Sequence, residues 1–421
     1  MDKIEIIGGN PIFGKVKISG SKNSALPIMA CSLLTNDIME LTNVPMLSDI
    51  HSMIRLLNSL NTKTSLKLNK VKLKSSKPER NFASYDLVRK MRASFLVLGP
   101  LLSKYGNAKV SLPGGCAIGA RPIDIHLEGL EKMGAKFLIE EGYVIGEVKK
   151  RLKGAKINLP FQSVGATENL LMAACLAEGN TTISNAAQEP EISDLGKCLI
   201  MMGARIEGLG SKKIKVFGKK KLMGCEYRVM PDRIEAGTYA LAVLGCSGKL
   251  KITNLDDLLI DNFISIFASF DNFRVRKVDN KTMLVISDKT RYKGVKIKTA
   301  TFPGFPTDLQ AQLSAVMTKA YGESIIEETI FENRFMHVAE LIRMGAEMNI
   351  DGAKVIIQGR NNIQGAQLMA TDLRASSSLI IAGLMAEGKT IINRVYHLDR
   401  GYENIEKKLS KCNVKIRRLK N

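Results

Sequence analysis

The sequence of 421 residues has no tryptophan, and aromatic residues make up only 5% of it. Proteins that bind single-stranded nucleic acid stack bases on aromatic side chains, so this scarcity disfavours that class. Acidic residues are also few: 41 Asp and Glu against 62 Lys and Arg leave a net charge of +21. The excess is Lys scattered through stretches such as 63–77 and 212–221, which is typical of a solvated surface. We expect no nucleic-acid partner, although a basic nucleic-acid-binding protein remains an alternative.

Long hydrophobic runs are missing as well. No stretch reaches the roughly 18 uninterrupted apolar residues of a membrane span, and Asp2, Lys3 and Glu5 precede the first apolar run, unlike a signal peptide. The seven cysteines are odd in number and never spaced C-x-x-C, and the four histidines show no ligand spacing. We therefore expect a cytoplasmic protein without membrane association, disulfide framework or metal site.

What the sequence does contain is one unit repeated six times. The copies align at the segments that begin at Ser21, Met91, Val164, Asp232, Pro306 and Thr371. Each copy opens with a polar cluster, continues as a helix of small and apolar residues, and goes on to a β-branched strand, an amphipathic helix and another strand. Equivalent positions in successive copies are 66 to 75 residues apart. The amphipathic helices are predicted at 124–133, 194–202 and 335–344.

The opening helices are apolar on nearly all faces, so we expect them to be buried. Three units grouped around their own helices would form one domain, which predicts an α/β protein of two similar lobes. Residues 21–230 would form the first lobe. Residues 1–20 carry a strand pattern that could complete the second lobe, so residues 1–20 and 231–421 would form a discontinuous domain. A duplicated scaffold without any site is the alternative.

Polar residues fall where these helices start: Lys22, Asn23, Arg92, Asp308 and Arg374. Unpaired backbone N–H groups and the positive end of the helix dipole attract anions there, and Lys and Arg add to that attraction. Helix starts on facing ends of two lobes would form a cleft that encloses a substrate. Asn23 and Asp308 could alternatively be simple N-caps.

One connection departs from the repeat. Residues 112–126 read LPGGCAIGARPIDIH, in which three glycines surround Cys116 and Arg121 follows five residues later. The glycines predict a lid that approaches a ligand closely. An exposed cysteine in a positive field favours thiolate character or proton exchange, although an ordinary loop cysteine is the alternative.

The assembled motifs resemble the enolpyruvyl transferase family of peptidoglycan synthesis over essentially the whole chain. The motifs that carry the resemblance are GSKNSALP at Gly20, MRAS at Met91, LPGGCAIGARPID at Leu112, SVGATEN at Ser163, PDRIEAGT at Pro231, FPTDLQAQ at Phe305, FENRFMH at Phe331, ATDLRAS at Ala370 and YHLDRGYE at Tyr396. The resemblance implies two inverse α/β-prism domains of three repeats each, with buried helices.

The resemblance also implies a reaction. The enolpyruvyl group of phosphoenolpyruvate would move to the 3′-hydroxyl of UDP-N-acetylglucosamine, with release of phosphate and without metal or cofactor. By resemblance, Cys116 donates the proton, Asp308 orients and deprotonates the hydroxyl, and Arg374 helps to close the cleft. The residues implied for phosphoenolpyruvate are Lys22, Arg121 and Arg400. Those implied for the UDP-sugar, besides Asp308, are Asn23, Arg92, Pro122, Ile123, Asp124, Ile125, Ser163, Val164 and Ile330.

Some positions depart from the family pattern. Phe161 and Gln162 stand where some members carry Lys-Val, so a lysine contact to the diphosphate or uridine does not carry over. The nearest rival enzyme, the shikimate-pathway enolpyruvyl transferase, is disfavoured by the Cys116 loop and by FPTDLQAQ. A catalytically silent sugar-nucleotide binder is a further alternative. The expected oligomeric state is a monomer or a weak oligomer.

Overall fold

The computed structural model describes residues 2–89, 91–113, 123–288 and 291–420. These residues form two compact units. One contains residues 20–113 and 123–230, and the other contains residues 2–19 together with residues 231–288 and 291–420. No helix in the described ranges is long and apolar enough to cross a bilayer.

In chain order, the strands are β1 (Lys3–Ile7), β2 (Ile12–Lys17), β3 (Ile38–Thr42), β4 (Thr62–Lys67), β5 (Lys70–Ser75), β6 (Phe82–Ala83), β7 (Asn107–Ser111), β8 (Lys136–Glu140), β9 (Tyr143–Glu147), β10 (Lys156–Asn158), β11 (Asn180–Ser184), β12 (Arg205–Glu207), β13 (Lys213–Phe217), β14 (Glu226–Arg228), β15 (Gly248–Thr253), β16 (Phe273–Asp279), β17 (Thr282–Ser287), β18 (Lys296–Lys298), β19 (Glu323–Glu327), β20 (Glu347–Asp351), β21 (Lys354–Gln358), β22 (Gln367–Met369), β23 (Lys389–Asn393) and β24 (Lys415–Leu419).

The α-helices are α1 (Lys22–Ala30), α2 (Ser48–Ser59), α3 (Tyr85–Val88), α4 (Leu98–Tyr105), α5 (Asp124–Lys132), α6 (Val164–Ala174), α7 (Pro190–Met201), α8 (Arg233–Cys246), α9 (Asp257–Phe267), α10 (Gln310–Met317), α11 (His337–Arg343), α12 (Leu373–Met385) and α13 (Ile405–Leu409). Four 3₁₀ segments accompany them in the described chain, at Cys31–Leu34, Arg92–Val97, Thr307–Leu309 and Val395–Arg400.

All six sheets of the described residues have four strands and one pairing pattern. The first strand is parallel to the second, and the second and third strands each pair antiparallel with the next one. In the unit of residues 20–230 the sheet orders are β14-β3-β5-β4, β6-β7-β9-β8 and β10-β11-β13-β12. In the other unit they are β2-β15-β17-β16, β18-β19-β21-β20 and β22-β23-β1-β24.

Residues 2–19 are part of the unit that holds the C-terminal half of the chain. Strand β1 lies between β23 and β24, with Glu5 opposite both Ile391 and Arg417. Strand β2 runs parallel to β15 as the edge of another sheet. The other unit closes in a similar way within its own sequence, because β14 pairs with β3.

The opening helix of each repeat is buried almost completely, because small and apolar residues cover all its faces. Residues 234–246 of α8 and 374–385 of α12 are all buried. Close packing depends on glycine where helices touch: a Cβ on Gly245 of α8 would lie 2.5 Å from the Met385 sulfur. With the six repeated sheets, this arrangement confirms the predicted fold class of two inverse α/β prisms.

The amphipathic helices lie at the predicted positions, and two of the three have shifted starts. Helix α5 starts at Asp124 as predicted, whereas α7 starts at Pro190, four residues before the predicted start, and α11 starts at His337, two residues after it. Proline favours the first position of a helix because its missing N–H has no partner to lose there, which accounts for the start of α7. The six described cysteines are free, and five of them are buried.

Candidate active site

Asp308 lies at the start of a buried helix, in the unit completed by residues 2–19. The 3₁₀ turn Thr307–Leu309 carries it into α10, and the neighbouring Leu309 is fully buried. A Cβ on Gly237 of α8 would lie 2.4 Å from a Leu309 methyl, so any larger residue at 237 would require the Leu309 side chain to move. The packing of the buried helices therefore fixes the position of the Asp308 carboxylate.

Two arginines bind the two oxygens of this carboxylate. The Arg334 Nη2 donates to Asp308 Oδ1 at 2.5 Å, and the Arg374 Nη2 donates to Oδ2 at 2.7 Å. Both guanidinium groups are almost buried, with side chains 7% and 10% exposed, whereas the Asp308 side chain is 22% exposed. The carboxylate is thus the more accessible member of a charged cluster that carries two cations and one anion.

This cluster determines the protonation state of Asp308. Burial alone would raise the pKa of the Asp308 carboxyl, but the charges and hydrogen bonds of Arg374 and Arg334 outweigh it and hold that pKa well below its usual range. Asp308 is therefore ionised at neutral pH. A carboxylate held in this way can accept a hydrogen bond from a hydroxyl group, and the cations beside it can bind an anion.

Buried and partly buried polar groups hold the cluster in place from both sides. On one side, Arg334 Nη1 donates to Thr307 Oγ1 at 2.8 Å, and Thr307 donates to Glu328 Oε2 at 2.8 Å. Glu328 also accepts from the backbone N–H of Ile330 at 2.8 Å. On the other side, Gln312 Nε2 donates to the Asp308 carbonyl at 2.9 Å. The reach of the two cations is thus restricted before any substrate arrives.

The same network reaches the helix that carries Arg374. Tyr402 is 2% exposed, and its hydroxyl lies 3.4 Å from Arg374 Nη1, 3.2 Å from Gln312 Nε2 and 2.8 Å from Thr238 Oγ1. Tyr402 follows the 3₁₀ segment Val395–Arg400, which packs against α12. Arg400 ends that segment and is partly buried. The sequence motif around Tyr396 therefore comes close to the motif around Arg374.

In the unit of residues 20–230, the corresponding helix starts carry Lys22 and Arg92. Lys22 is the first residue of α1, and its Nζ lies 3.1 Å from Asp49 Oδ2 in the first turn of α2. Asn23 follows it and is partly buried. The N-cap of α1 is Ser21, whose hydroxyl accepts from the Ser24 N–H at 3.3 Å.

Arg92 opens the 3₁₀ segment Arg92–Val97, which packs against both α1 and α6. Its charge is felt by His126 on α5: burial and the Arg92 guanidinium together lower the pKa of His126 to about 4. The His126 Nδ1 lies 3.1 Å from Asn169 Nδ2, and Phe95 meets the imidazole edge-on at 5.3 Å between ring centres. His126 is therefore neutral at neutral pH, and the positive charge beside it is that of Arg92.

The start of α6 holds the predicted UDP-sugar residues Ser163 and Val164. Ser163 is the N-cap, and its hydroxyl accepts from the Ala166 N–H at 3.3 Å. Ile123 precedes α5, Asp124 is exposed in its first turn, and Ile125 is buried. Ile330, in the other unit, is 37% exposed. The predicted residues Cys116, Arg121 and Pro122 lie outside the described residues.

Two expectations change with this geometry. The N-cap alternative is wrong for both Asn23 and Asp308, because Ser21 caps α1 and the Asp308 carboxylate binds arginines instead of backbone N–H groups. Sequence reasoning also missed Arg334 and Asp49, which hold Asp308 and Lys22. Arg334 lies within the FENRFMH motif, so that motif could have drawn attention to it. The pairing of Arg334 with Asp308, and of Asp49 with Lys22, follows from no regular spacing in the sequence.

Comparison with known proteins gives consistent results along the whole chain. The family model described as EPSP synthase (3-phosphoshikimate 1-carboxyvinyltransferase) matches residues 6–409. The UDP-N-acetylglucosamine 1-carboxyvinyltransferase of Granulibacter bethesdensis is 51% identical over 421 residues, which is 100% of both chains. The protein of the same name from Pelagibacter ubique is 51% identical over 419 residues, again 100% of both.

Solved structures agree on the fold. The enolpyruvyl transferase NikO from Streptomyces tendae superimposes with a TM-score of 0.87 at 22% identity, covering 99% of this chain and 98% of that one. EPSP synthase from Acinetobacter baumannii superimposes with a TM-score of 0.76 at 17% identity, covering 100% of both chains. The chain therefore belongs to the enolpyruvyl (1-carboxyvinyl) transferases, a family of enzymes, and within it to the UDP-N-acetylglucosamine 1-carboxyvinyltransferases.

Proposed function

We propose that this enzyme transfers the enolpyruvyl group of phosphoenolpyruvate to the 3′-hydroxyl of UDP-N-acetylglucosamine and releases phosphate, the first committed step of peptidoglycan precursor synthesis. The observation that carries the proposal is the 51% identity, over the full length of both chains, to relatives with that activity in their name. The EPSP synthase of Acinetobacter baumannii shares the fold at only 17% identity. The choice of acceptor rests on this contrast.

Asp308 is the residue we assign to the acceptor hydroxyl. It would accept the hydrogen bond of the 3′-hydroxyl, orient it toward C2 of phosphoenolpyruvate and take its proton. With two guanidinium groups stabilising the anion, the pKa of Asp308 is too low for an efficient base. Anionic phosphoenolpyruvate would compete for those cations, which raises the pKa of Asp308 when both substrates are bound.

The other proton transfer belongs to Cys116. Addition requires a proton at C3 of phosphoenolpyruvate while the sugar oxygen bonds to C2; elimination then removes a proton from C3 and expels phosphate. We assign Cys116 as the donor to C3, and its sulfur could also bond covalently to C2. Lys22, Arg121 and Arg400 would bind the phosphate and carboxylate of phosphoenolpyruvate, and Arg374 would secure the closed site. The ion pair of Lys22 with Asp49 supports a pre-positioned ammonium group.

The UDP-sugar would be held mainly by groups of the unit of residues 20–230. We assign its contacts to the following residues: Asn23, Arg92, Pro122, Ile123, Asp124, Ile125, Ser163, Val164, Asp308 and Ile330. The partly buried starts of α1 and α6 and the charge of Arg92 support this assignment, because a diphosphate is favoured at helix starts next to a cation.

We further propose that the enzyme works in the cytoplasm, as a monomer or weak oligomer, and that cell-wall synthesis, cell shape, the cell cycle and division depend on it. Phosphoenolpyruvate and a nucleotide sugar are intracellular metabolites, which supports this location. The proposed reaction needs no metal or organic cofactor, since side chains can supply both the proton donor and the base.

The test is phosphate release from phosphoenolpyruvate, with UDP-N-acetylglucosamine or shikimate 3-phosphate as the acceptor. We expect release with the UDP-sugar alone, and loss of it in Cys116→Ala. No phosphate above the Cys116→Ala background, despite binding of the UDP-sugar, would show a catalytically silent binder. Release only with shikimate 3-phosphate would replace the proposed acceptor.

A further inference from the structure

A second basic site lies in the unit of residues 20–230, at the opposite end of its buried helices from Lys22 and Arg92. An open cavity of about 510 Å³ is formed where the segment after α1, helix α4 and the segment after α6 all end. It is lined by Leu34, Thr35, Asn36, Ser103, Lys104, Tyr105, Gly106, Lys150, Arg151, Leu176, Lys220, Lys221 and Leu222. The cavity therefore includes part of the Lys-rich stretch 212–221, which the proposed reaction does not use.

Five of the lining residues are cationic and none is acidic, all of them within the described chain. Among the described residues, the one carboxylate oxygen within 4.0 Å of these cations is that of Asp37, at 4.0 Å from the Lys221 Nζ. Neither Lys150 nor Lys220 has a carboxylate oxygen within 4.0 Å among the described residues, and Lys104 donates to the neutral Asn36 Oδ1 at 2.8 Å. Cations of three separate segments thus meet with little counter-charge.

The simplest structural explanation for these cations is helix capping, since cations are favoured near helix C-termini. Each C-terminus carries a charge equivalent to about −0.5, so three helix ends and Asp37 together balance about half of the five positive charges. A net charge of about +2.5 is left over. Capping therefore explains some of the cations but not their number.

Arg151 shows how one of them is held. Its Nε donates to the Leu176 carbonyl at 2.8 Å, and its Nη2 donates to the carbonyls of Ala177, at 3.3 Å, and Lys219. Carbonyl groups satisfy the hydrogen bonds of a guanidinium but do not neutralise its charge. Arg151 is thus a positive group held by three carbonyls, beside the exposed ammonium groups of Lys150, Lys220 and Lys221.

The floor of the cavity is apolar. Leu34, Leu176 and Leu222 lie beneath its surface, with 2%, 5% and 0% exposure, so the apolar group that a ligand can reach is the partly buried ring of Tyr105. A volume near 510 Å³ is in the range of small-molecule sites, which run from roughly 300 to 1,000 Å³. We propose that this cavity binds a small organic polyphosphate, such as a nucleoside triphosphate, with its phosphates on the Lys and Arg groups and its organic part against the Tyr105 ring. This site would be separate from the proposed catalytic residues.

Lys104 gives the site a measurable signature. Burial lowers the pKa of Lys104 to about 8, since Asp37 compensates only in part and Lys221 lowers it further. A bound polyphosphate would favour the charged amine and raise this pKa. At pH 8 about half of the amine is neutral, so binding should take up about 0.5 proton per chain.

The test is titration calorimetry with ATP at pH 8 and 0.1 M salt, in two buffers with different ionisation enthalpies. The pocket variant carries Lys150→Gln, Lys220→Gln and Lys221→Gln. The control variant carries Lys63→Gln, Lys67→Gln and Lys70→Gln, which removes the same charge from exposed positions of β4 and β5 in the same unit. Because all six lysines are exposed, both variants should fold, and both should keep the enolpyruvyl transfer rate of the unchanged protein.

We expect ATP to bind the unchanged protein and the control variant, and to lose about tenfold or more in affinity in the pocket variant. Proton uptake should disappear in Lys104→Gln, while tripolyphosphate should bind more weakly than ATP because it has no organic part to contact the Tyr105 ring. Equal ATP affinity in the pocket and control variants would overturn the proposal, and so would the absence of measurable binding to the unchanged protein. Tripolyphosphate binding as tight as ATP binding would overturn the assignment of an organic ligand.

Discussion

The helix starts of the two units are built on one scaffold but carry different charge arrangements. In the unit that holds Asp308, two guanidinium groups surround one carboxylate, and buried hydroxyl and amide groups restrict all three. In the other unit, Lys22 forms an ion pair with Asp49, and Arg92 lies near a neutral imidazole. The repeat therefore fixes where a functional side chain stands, while its neighbours from other segments fix its protonation state. One unit holds a carboxylate as an anion between two cations, and the other carries cations at its helix starts.

The largest effect on activity should come from replacing the Asp308 carboxylate. For Asp308→Asn, we expect kcat to fall by about 10²- to 10⁴-fold, since an amide cannot take the proton of the acceptor hydroxyl. The measurement is phosphate release with both substrates at saturation. Asp351→Asn, at an exposed position at the end of β20, is the control. Turnover of Asp308→Asn within tenfold of the unchanged enzyme would contradict the assigned role.

Histidines of the two units should respond alike to acid. Burial is the main cause that lowers the pKa of both His126 and His337 to about 4. Arg92 lowers the pKa of His126 further, whereas at His337 the charge of Asp372 opposes the shift and that of Arg334 adds to it. The unfolded chain binds these protons below about pH 6.5, but the folded chain does not until about pH 4. The associated stability is therefore complete above pH 6.5 and is lost as the pH falls toward 4.

We expect each histidine to account for up to about 3 kcal/mol of the unfolding free energy lost between pH 7 and pH 4. Denaturant unfolding of His126→Gln and His337→Gln at both pH values measures this. Each variant should show a flatter pH dependence than the unchanged protein, with His51→Gln on the exposed face of α2 as the control. A pH dependence as steep as that of the unchanged protein would mean that the replaced histidine does not titrate in this window.

Arg334 tests how the neighbours set the state of Asp308. Arg334→Gln removes one of the two cations, so the pKa of Asp308 should rise and the acid limb of the kcat profile should move to higher pH. We expect kcat/KM to fall by about tenfold, because the carboxylate is less well positioned. Arg343→Gln, whose side chain is 59% exposed, serves as the control. A lower rate with an unmoved pH profile would indicate a structural role only.

The smallest effect should come from a buried carboxyl in the unit of residues 20–230. Burial, with the charges of Glu191 and Glu189, raises the pKa of Glu168 well above its usual value. A raised carboxyl pKa means that stability falls as the pH rises above about 4.5. Glu168→Gln should therefore raise Tm by about 2–4 °C at pH 8 and by less at pH 5, whereas exposed Glu131→Gln should change neither. Equal gains at both pH values would contradict this account.

Features that depend on residues close together in the sequence could be predicted, whereas features that depend on contacts between distant segments could not. The repeated helices and strands are readable because their periodicity lies within each segment, and the start of α7 differs only where Pro190 takes the first position. Asp308 and Arg374 each lie within a sequence motif, so they could be predicted from the sequence. Arg334 and Asp49 act through contacts with residues 26 and 27 positions away, set by packing, which no periodicity within a segment encodes. The basic cavity is likewise assembled from separate segments, of which only the Lys-rich stretch 212–221 is visible in the sequence.

The strand pairing of residues 2–19 also sets an order of assembly. Strand β1 sits between β23 and β24, so Glu5 pairs with Arg417, 412 positions later in the chain. During synthesis, the unit of residues 20–230 has all its strands once β14 has emerged, whereas β1 must wait for nearly the whole chain. One unit can therefore fold on the ribosome while the first strand made is among the last to be paired. Until then, the N-terminal strands expose unpaired backbone, which makes this interval the one in which the chain is most open to aggregation or chaperone binding.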